Sequence, residues 1–136
     1  METRLGFSGS RKGMSEPQRA VVRERLERFQ GGWLHHGLCI GSDAQAHALA
    51  RAVGLKVAGH PGPFSVMRAW LDCDVLYPPN PYLTRNHHIV DSTEELIATP
   101  RGRADRSGTW ATIRYAQQQR RLVTIVYPDG SLEFSP

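Results

Sequence analysis

Cysteine is scarce: Cys39 and Cys73 are the only two in 136 residues, which excludes a disulfide-stapled miniprotein. Cys39 lies in an apolar stretch and Cys73 between two aspartates, and the six histidines (35, 36, 47, 60, 87, 88) form no H-E-x-x-H pattern. No metal-ligand spacing exists, so neither a zinc site nor any other cofactor is expected. No apolar run reaches the roughly 18 residues a membrane span needs, and no signal peptide is evident, so a reducing cytoplasm is the expected setting and a membrane is not a partner. Neither G-x-G-x-x-G nor G-x-x-x-x-G-K-[ST] occurs, which removes the standard dinucleotide and Walker fingerprints. Lysine is nearly absent.

Arginine takes its place: 17 basic residues, 15 of them Arg, face 13 acidic ones for a net charge of +4. The guanidinium fork suits phosphate and carboxylate, so anionic partners fit this balance, though polynucleotide binding does not follow from charge alone. The composition is globular, and the length suits a single domain over residues 1–136 with one site.

Residues 4–10 read as a strand and 8–13 as the loop after it. Ser15 and Gln18 form a capping box with a proline in the first turn, starting a helix whose stripe is Val22, Leu26 and Phe29. Arg19, Arg23, Arg25 and Arg28 form its solvated flank, and Gly31 and Gly32 end it. Residues 33–40 read as a strand, followed by a helix capped by Ser42 and Gln45, striped by Ala46, Leu49, Ala50 and Val53, and stopped by Gly54. A strand at 56–59 precedes a proline- and glycine-rich irregular stretch, 60–81, with one helical turn near 67–71. Then come a helix at 82–90, a strand at 95–99, a loop at 100–107, a helix at 109–119, a strand at 122–127 and a turn at 128–130 before a short tail. Alternating strands and helices imply an α/β three-layer Rossmann-like domain with a mainly parallel sheet of about five strands.

Such sheets bind ligands beyond their carboxyl ends. That rule nominates the loops after the first four strands and demotes Glu94 and Glu95, which lead into a strand. In the first loop, Ser8, Gly9, Ser10, Arg11 and Lys12 combine small residues, hydroxyls and cations before a helix, an anion site or simply a tight turn. The fourth repeats the design with Thr99, Arg106, Ser107, Gly108 and Thr109. Gly41, Ser42 and Asp43 open the second helix, where the carboxylate either offsets the dipole or accepts from a ribose or base. His47, Arg85 and Asn86 are ligand contacts or structural polar groups, and Trp110 is a stacking platform or core.

The ordered strings GFSGSRKG, GLCIGSDAQAHALA, PYLTRNHHIV and RSGTWATIRYA resemble the SLOG superfamily of Rossmann-like nucleotide-binding proteins. The last three are most similar to its DNA-processing protein A branch, and the resemblance spans about residues 4–128 of the chain. It implies a pocket for a phosphorylated nucleotide or nucleotide derivative at the sheet edge. The cytokinin-activating phosphoribohydrolase branch carries P-G-G-x-G-T-x-x-E, whose Glu assists N-glycosidic cleavage. Here Arg106 and Ser107 replace the first glycines, and Thr112 stands where that Glu would be. An oxocarbenium-like transition state wants a carboxylate, and Asp43 is the one acidic residue placed at the right edge.

Three functions follow as expectations. The first is a nucleotide-type small-molecule binder acting as sensor or sequestering protein; the second is an N-glycosidic hydrolase, with Asp43 catalytic. The third is a single-stranded DNA binder like the recombination mediators. By analogy with relatives, a homodimer is expected.

Overall fold

A computed structural model describes residues 2–136. Its elements are β1 (Arg4–Gly9), α1 (Glu16–Glu27), β2 (Trp33–His36), α2 (Ser42–Ala52), β3 (Lys56–Gly59), a single 3-10 turn (Ser65–Met67), β4 (Val75–Leu76), α3 (Tyr82–Asp91), β5 (Glu95–Thr99), α4 (Gly108–Gln118), β6 (Leu122–Val126) and β7 (Leu132–Ser135). One seven-stranded sheet runs in the order β4-β3-β2-β1-β5-β6-β7, parallel throughout except for the antiparallel edge strand β7. The Rossmann-like α/β fold is as expected; the strand count exceeds five because two short edge strands join the sheet.

The strands are apolar on both faces because both faces are covered. Ile97 packs with Leu5, Phe7, Leu34 and Val57 in the core that includes Val22, Leu26, Ala46 and Ala50 of α1 and α2. Its neighbours Leu96 and Ala98 point the other way, packing with Val123, Ile125 and Ile113 in the α4 core. The chain winds outward from β1 to β4, then returns to β5 on the other side of β1. The order therefore reverses between β1 and β5, the switch point beyond whose carboxyl ends such sheets form a crevice.

Several local expectations change. β2 stops at His36, not residue 40: the Gly37 and Cys39 amides donate to the Asp43 carboxylate rather than to a neighbouring strand, and Leu38 takes a left-handed backbone at φ 53. Cys39 instead bridges Arg68 in the 60–81 segment. That segment's turn falls at Ser65–Met67, and the segment also holds β4. The α1 capping box forms as expected, but Ser42 does not cap α2: Gly41 takes that position with φ 87, and the Gln45 side chain accepts from Met14 N at 2.6 Å. Arg25 is not solvated; it pairs with Glu95 at 3.5 Å and lies over the Phe134 ring. The tail after the 128–130 turn is β7, folded back along β6.

Candidate functional site

A cleft of about 500 Å³ opens at the carboxyl ends of β1, β2 and β5, within the range of small-molecule sites. Four chain segments build it. The loop after β1 brings Ser8, Gly9, Ser10, Arg11 and Lys12; the turn after β2 brings Gly37, Cys39 and Asp43; α3 brings Tyr82, Arg85, Asn86 and Ile89. The loop after β5 brings Arg101, Asp105, Ser107, Gly108 and Thr109, and Phe7 completes the lining. Gly9 and Gly108, 99 positions apart, thus share one rim.

The first loop is braced from behind. Ser10 O accepts from Gly13 N and from Ser42 N, and Ser10 Oγ accepts from Lys12 N at 3.0 Å. Gly41 can pass only because it has no side chain: a Cβ there would lie 2.1 Å from Arg11 O. Gly9 is likewise fixed by packing, its missing Cβ falling 2.4 Å from Thr99 Oγ1 and 2.6 Å from Ser42 Cβ. This geometry places Gly41, Ser42 and Thr99 beneath the loop rather than on the cleft wall.

Ser107 caps α4, its side chain accepting from Trp110 N at 3.3 Å, while its own amide donates to Asp105 Oδ1 at 2.7 Å. Gly108 and Thr109 are the first residues of the helix, whose leading amides lack intrahelical acceptors. A Cβ on Gly108 would meet nothing within 4 Å, so the space above this helix start is open. Trp110 is not a platform: it is buried in the α4 core and donates to Gly102 O at 3.1 Å. Arg106 does not line the cleft; Arg101 occupies that place in the same loop. Thr112 is buried and bonds back to Gly108 O, so no acid stands at that position.

The floor is built from two charged residues that hold backbone. Asp43 Oδ2 accepts from Gly37 N and Cys39 N, both at 3.1 Å. Arg85 reaches the same turn from the other side, donating to Gly37 O, to His60 O at 3.1 Å and to Asn86 Oδ1 at 2.7 Å. Burial lifts the Asp43 carboxyl to about 6 against the lowering pull of Arg85 and the two amides. Behind them, His47 is not a cleft residue; its Nδ1 sits 3.0 Å from His36 Nε2 within the core. His35 and His60 form a second pair at 2.8 Å. Burial lowers His36 and His60 to about 3 and His35 to about 4, so these imidazoles are neutral near pH 7.

The rim differs in charge state. Among the described residues, Arg11, Lys12 and Arg101 belong to no ion pair. Arg11 rests over the Tyr82 ring, 5.0 Å from its centroid, with Arg85 on the same ring at 5.2 Å. Asp105 is the rim's acid, its carboxyl held low by hydrogen bonds from Ser107. The sequence reading passed over Tyr82, Arg101 and Asp105; Pro81 just before Tyr82 and the arginine-rich 100–107 loop were the available signals. Among the described residues no group of three or more His, Cys, Asp or Glu could hold a metal ion, and no helix is long and apolar enough to cross a membrane.

No protein-family profile matches the sequence, and no curated protein matches it. Solved structures match in fold. The molybdenum cofactor binding protein from the phototrophic bacterium Rippkaea orientalis superimposes with a TM-score of 0.72 at 18% identity, over 93% of this chain and 77% of that one. The Moco carrier protein from Chlamydomonas reinhardtii gives 0.71 at 20% identity, over 92% and 76%. DNA processing protein A from Streptococcus pneumoniae gives 0.70 at 22% identity, over 91% of this chain but only 50% of that one, so the chain spans half its length. All are SLOG-superfamily proteins, and the chain has their Rossmann-like fold, with an arginine-rimmed cleft at the switch point.

Proposed function

We propose that the protein binds a phosphorylated nucleotide or nucleotide-derived small molecule in the cleft, as a sensor or sequestering protein. One observation carries this reading: three unpaired cations and two glycine-containing loops, distant in sequence, meet around a single cavity of about 500 Å³. Solvent-exposed cations and helix-start amides favour a phosphate, and the remaining volume suits an attached ring system. Two structures of like fold belong to a molybdenum cofactor binding protein and a Moco carrier protein, which supports small-molecule holding over turnover.

Isothermal titration against AMP, ADP-ribose, NAD, cyclic nucleotides and molybdenum cofactor tests it. Saturable heat with at least one, lost in an Arg11→Ala/Arg101→Ala double variant, is the expected result. No heat with any overturns it. An oligonucleotide arm separates the DNA-binding reading, for which a DNA processing protein A from Helicobacter pylori, with its single-stranded DNA binding mode, is the precedent in fold. That reading requires affinity falling steeply with salt.

A hydrolase is the second reading, favoured by two carboxylates on the cleft, Asp43 and Asp105. Only Oδ2 of Asp43 carries the two amide bonds, leaving Oδ1 as the atom for a developing positive charge on a ribose. Free base released from AMP or NAD, and abolished by Asp43→Asn without loss of fold, is its signature.

A further inference from the structure

Helix α3 meets the cleft through Tyr82, Arg85, Asn86 and Ile89, positions i, i+3, i+4 and i+7, which lie on one face of a helix. The rim loops carry the cations and helix-start amides suited to phosphate. This wall, with Phe7 beside it in the lining, carries the aromatic and aliphatic side chains suited to a flat ring.

Hydrogen bonding on the wall has a fixed direction. Arg85 is spent on the fold: Nη1 donates to Gly37 O and His60 O, Nη2 to Cys39 Sγ at 3.6 Å, and Nε to Asn86 Oδ1 at 2.7 Å. A guanidinium has donors and no acceptor, so Asn86 turns its carbonyl oxygen to Arg85 and its Nδ2 away. That Nδ2 has no partner among the described residues, and Asn86 lines the cleft. Tyr82 Oη, another polar atom of this face, is sealed from solvent. A ring laid on the wall therefore meets a held N–H donor. A ring carbonyl placed there accepts from it, whereas an exocyclic amine in the same place sets donor against donor and leaves both unmet.

We infer that the cleft selects nucleotides whose base carries a ring carbonyl where an amino base carries –NH2, with Asn86 reading the difference and Arg85 fixing the direction in which Asn86 reads. The inference rests on the nucleotide reading above and adds the class of base.

IMP and AMP share phosphate and ribose and exchange a carbonyl for an amine on the same ring, so isothermal titration of the full chain with each tests it. The expected result is tighter binding of IMP by roughly tenfold, the cost of one unmet donor. Asn86→Ala brings the ratio of the two affinities to about one. Asn86→Asp, which keeps an oxygen for Arg85 and offers a second as acceptor, inverts it in favour of AMP. Arg101→Ala, on the rim, weakens both nucleotides alike and leaves the ratio as in the wild type. Circular dichroism of each variant confirms that it is folded. If neither monophosphate binds, the inference falls along with the nucleotide reading for this class. Equal affinities in the wild type, tighter binding of AMP, or a preference for IMP that persists in Asn86→Asp overturns the inference and leaves that reading standing.

Discussion

The floor and the rim of the cleft both carry charged residues, but the floor's Asp43 and Arg85 are tied to backbone while the rim's cations are not. Asp43 and Arg85 grip the Gly37–Cys39 turn from opposite sides and are buried at 6% exposure each. Arg11, Lys12 and Arg101 hold no partner among the described residues. The difference is one of solvation. A buried charge must be met by the fold itself, whereas a rim charge stays in water until a ligand displaces that water. Floor charges therefore serve shape, and rim charges remain available for binding.

The largest effect expected from this division is at Asp43. Asp43→Ala leaves two buried amides without an acceptor and should cost about 3 kcal/mol in urea unfolding, while Asp43→Asn, which keeps an acceptor and removes a buried charge, should stay within about 1 kcal/mol of wild type. Equal losses in the two variants would mean that the charge, not the acceptor, holds the turn.

Acid should act next. His35, His36 and His60 are held neutral by burial at about 4, 3 and 3, against about 6.5 in the unfolded chain. Their folded values are depressed, so the stability they permit is complete above pH 6.5 and drains away as pH falls toward 4. Asp43 runs the other way: its folded value is raised to about 6, so its burial penalty is relieved below that pH. Three histidines outweigh one carboxylate, and unfolding free energy measured from pH 7 to pH 4 should fall. A flat or rising profile would break this account of the floor.

At the rim, Ser107→Ala removes the α4 cap and should cost about 1 kcal/mol of thermal stability. Smallest of all, Arg11→Ala and Arg101→Ala should leave stability within about 0.5 kcal/mol while removing nucleotide binding. A large stability loss in either would place that arginine with the floor.

How far the sequence could be read follows the same line. The loops at 8–12 and 107–109 were legible because strand–helix alternation forces carboxyl ends to one edge, and small residues before a helix are visible in one dimension. Thr99, Ser42 and Trp110 sit within a residue or two of cleft-lining positions, yet they point into packing, and side-chain direction at a strand end or helix start is set by neighbours from other segments. Tyr82 was illegible for the converse reason: an aromatic at the first position of a helix reads as core, and only the meeting of α3 with the first loop turns it toward Arg11. β7 escaped because its Leu-Glu-Phe-Ser alternation is only four residues long, at the lower limit at which such a pattern can be told from a tail.

The most direct measurement is a crystal structure grown with saturating AMP or ADP-ribose. The account predicts phosphate density between Ser10–Lys12 and Ser107–Thr109, with the Arg11 or Arg101 guanidinium turned onto it and the Asp43–Arg85 floor unmoved. Phosphate bound elsewhere, with only solvent in the cleft, would contradict it.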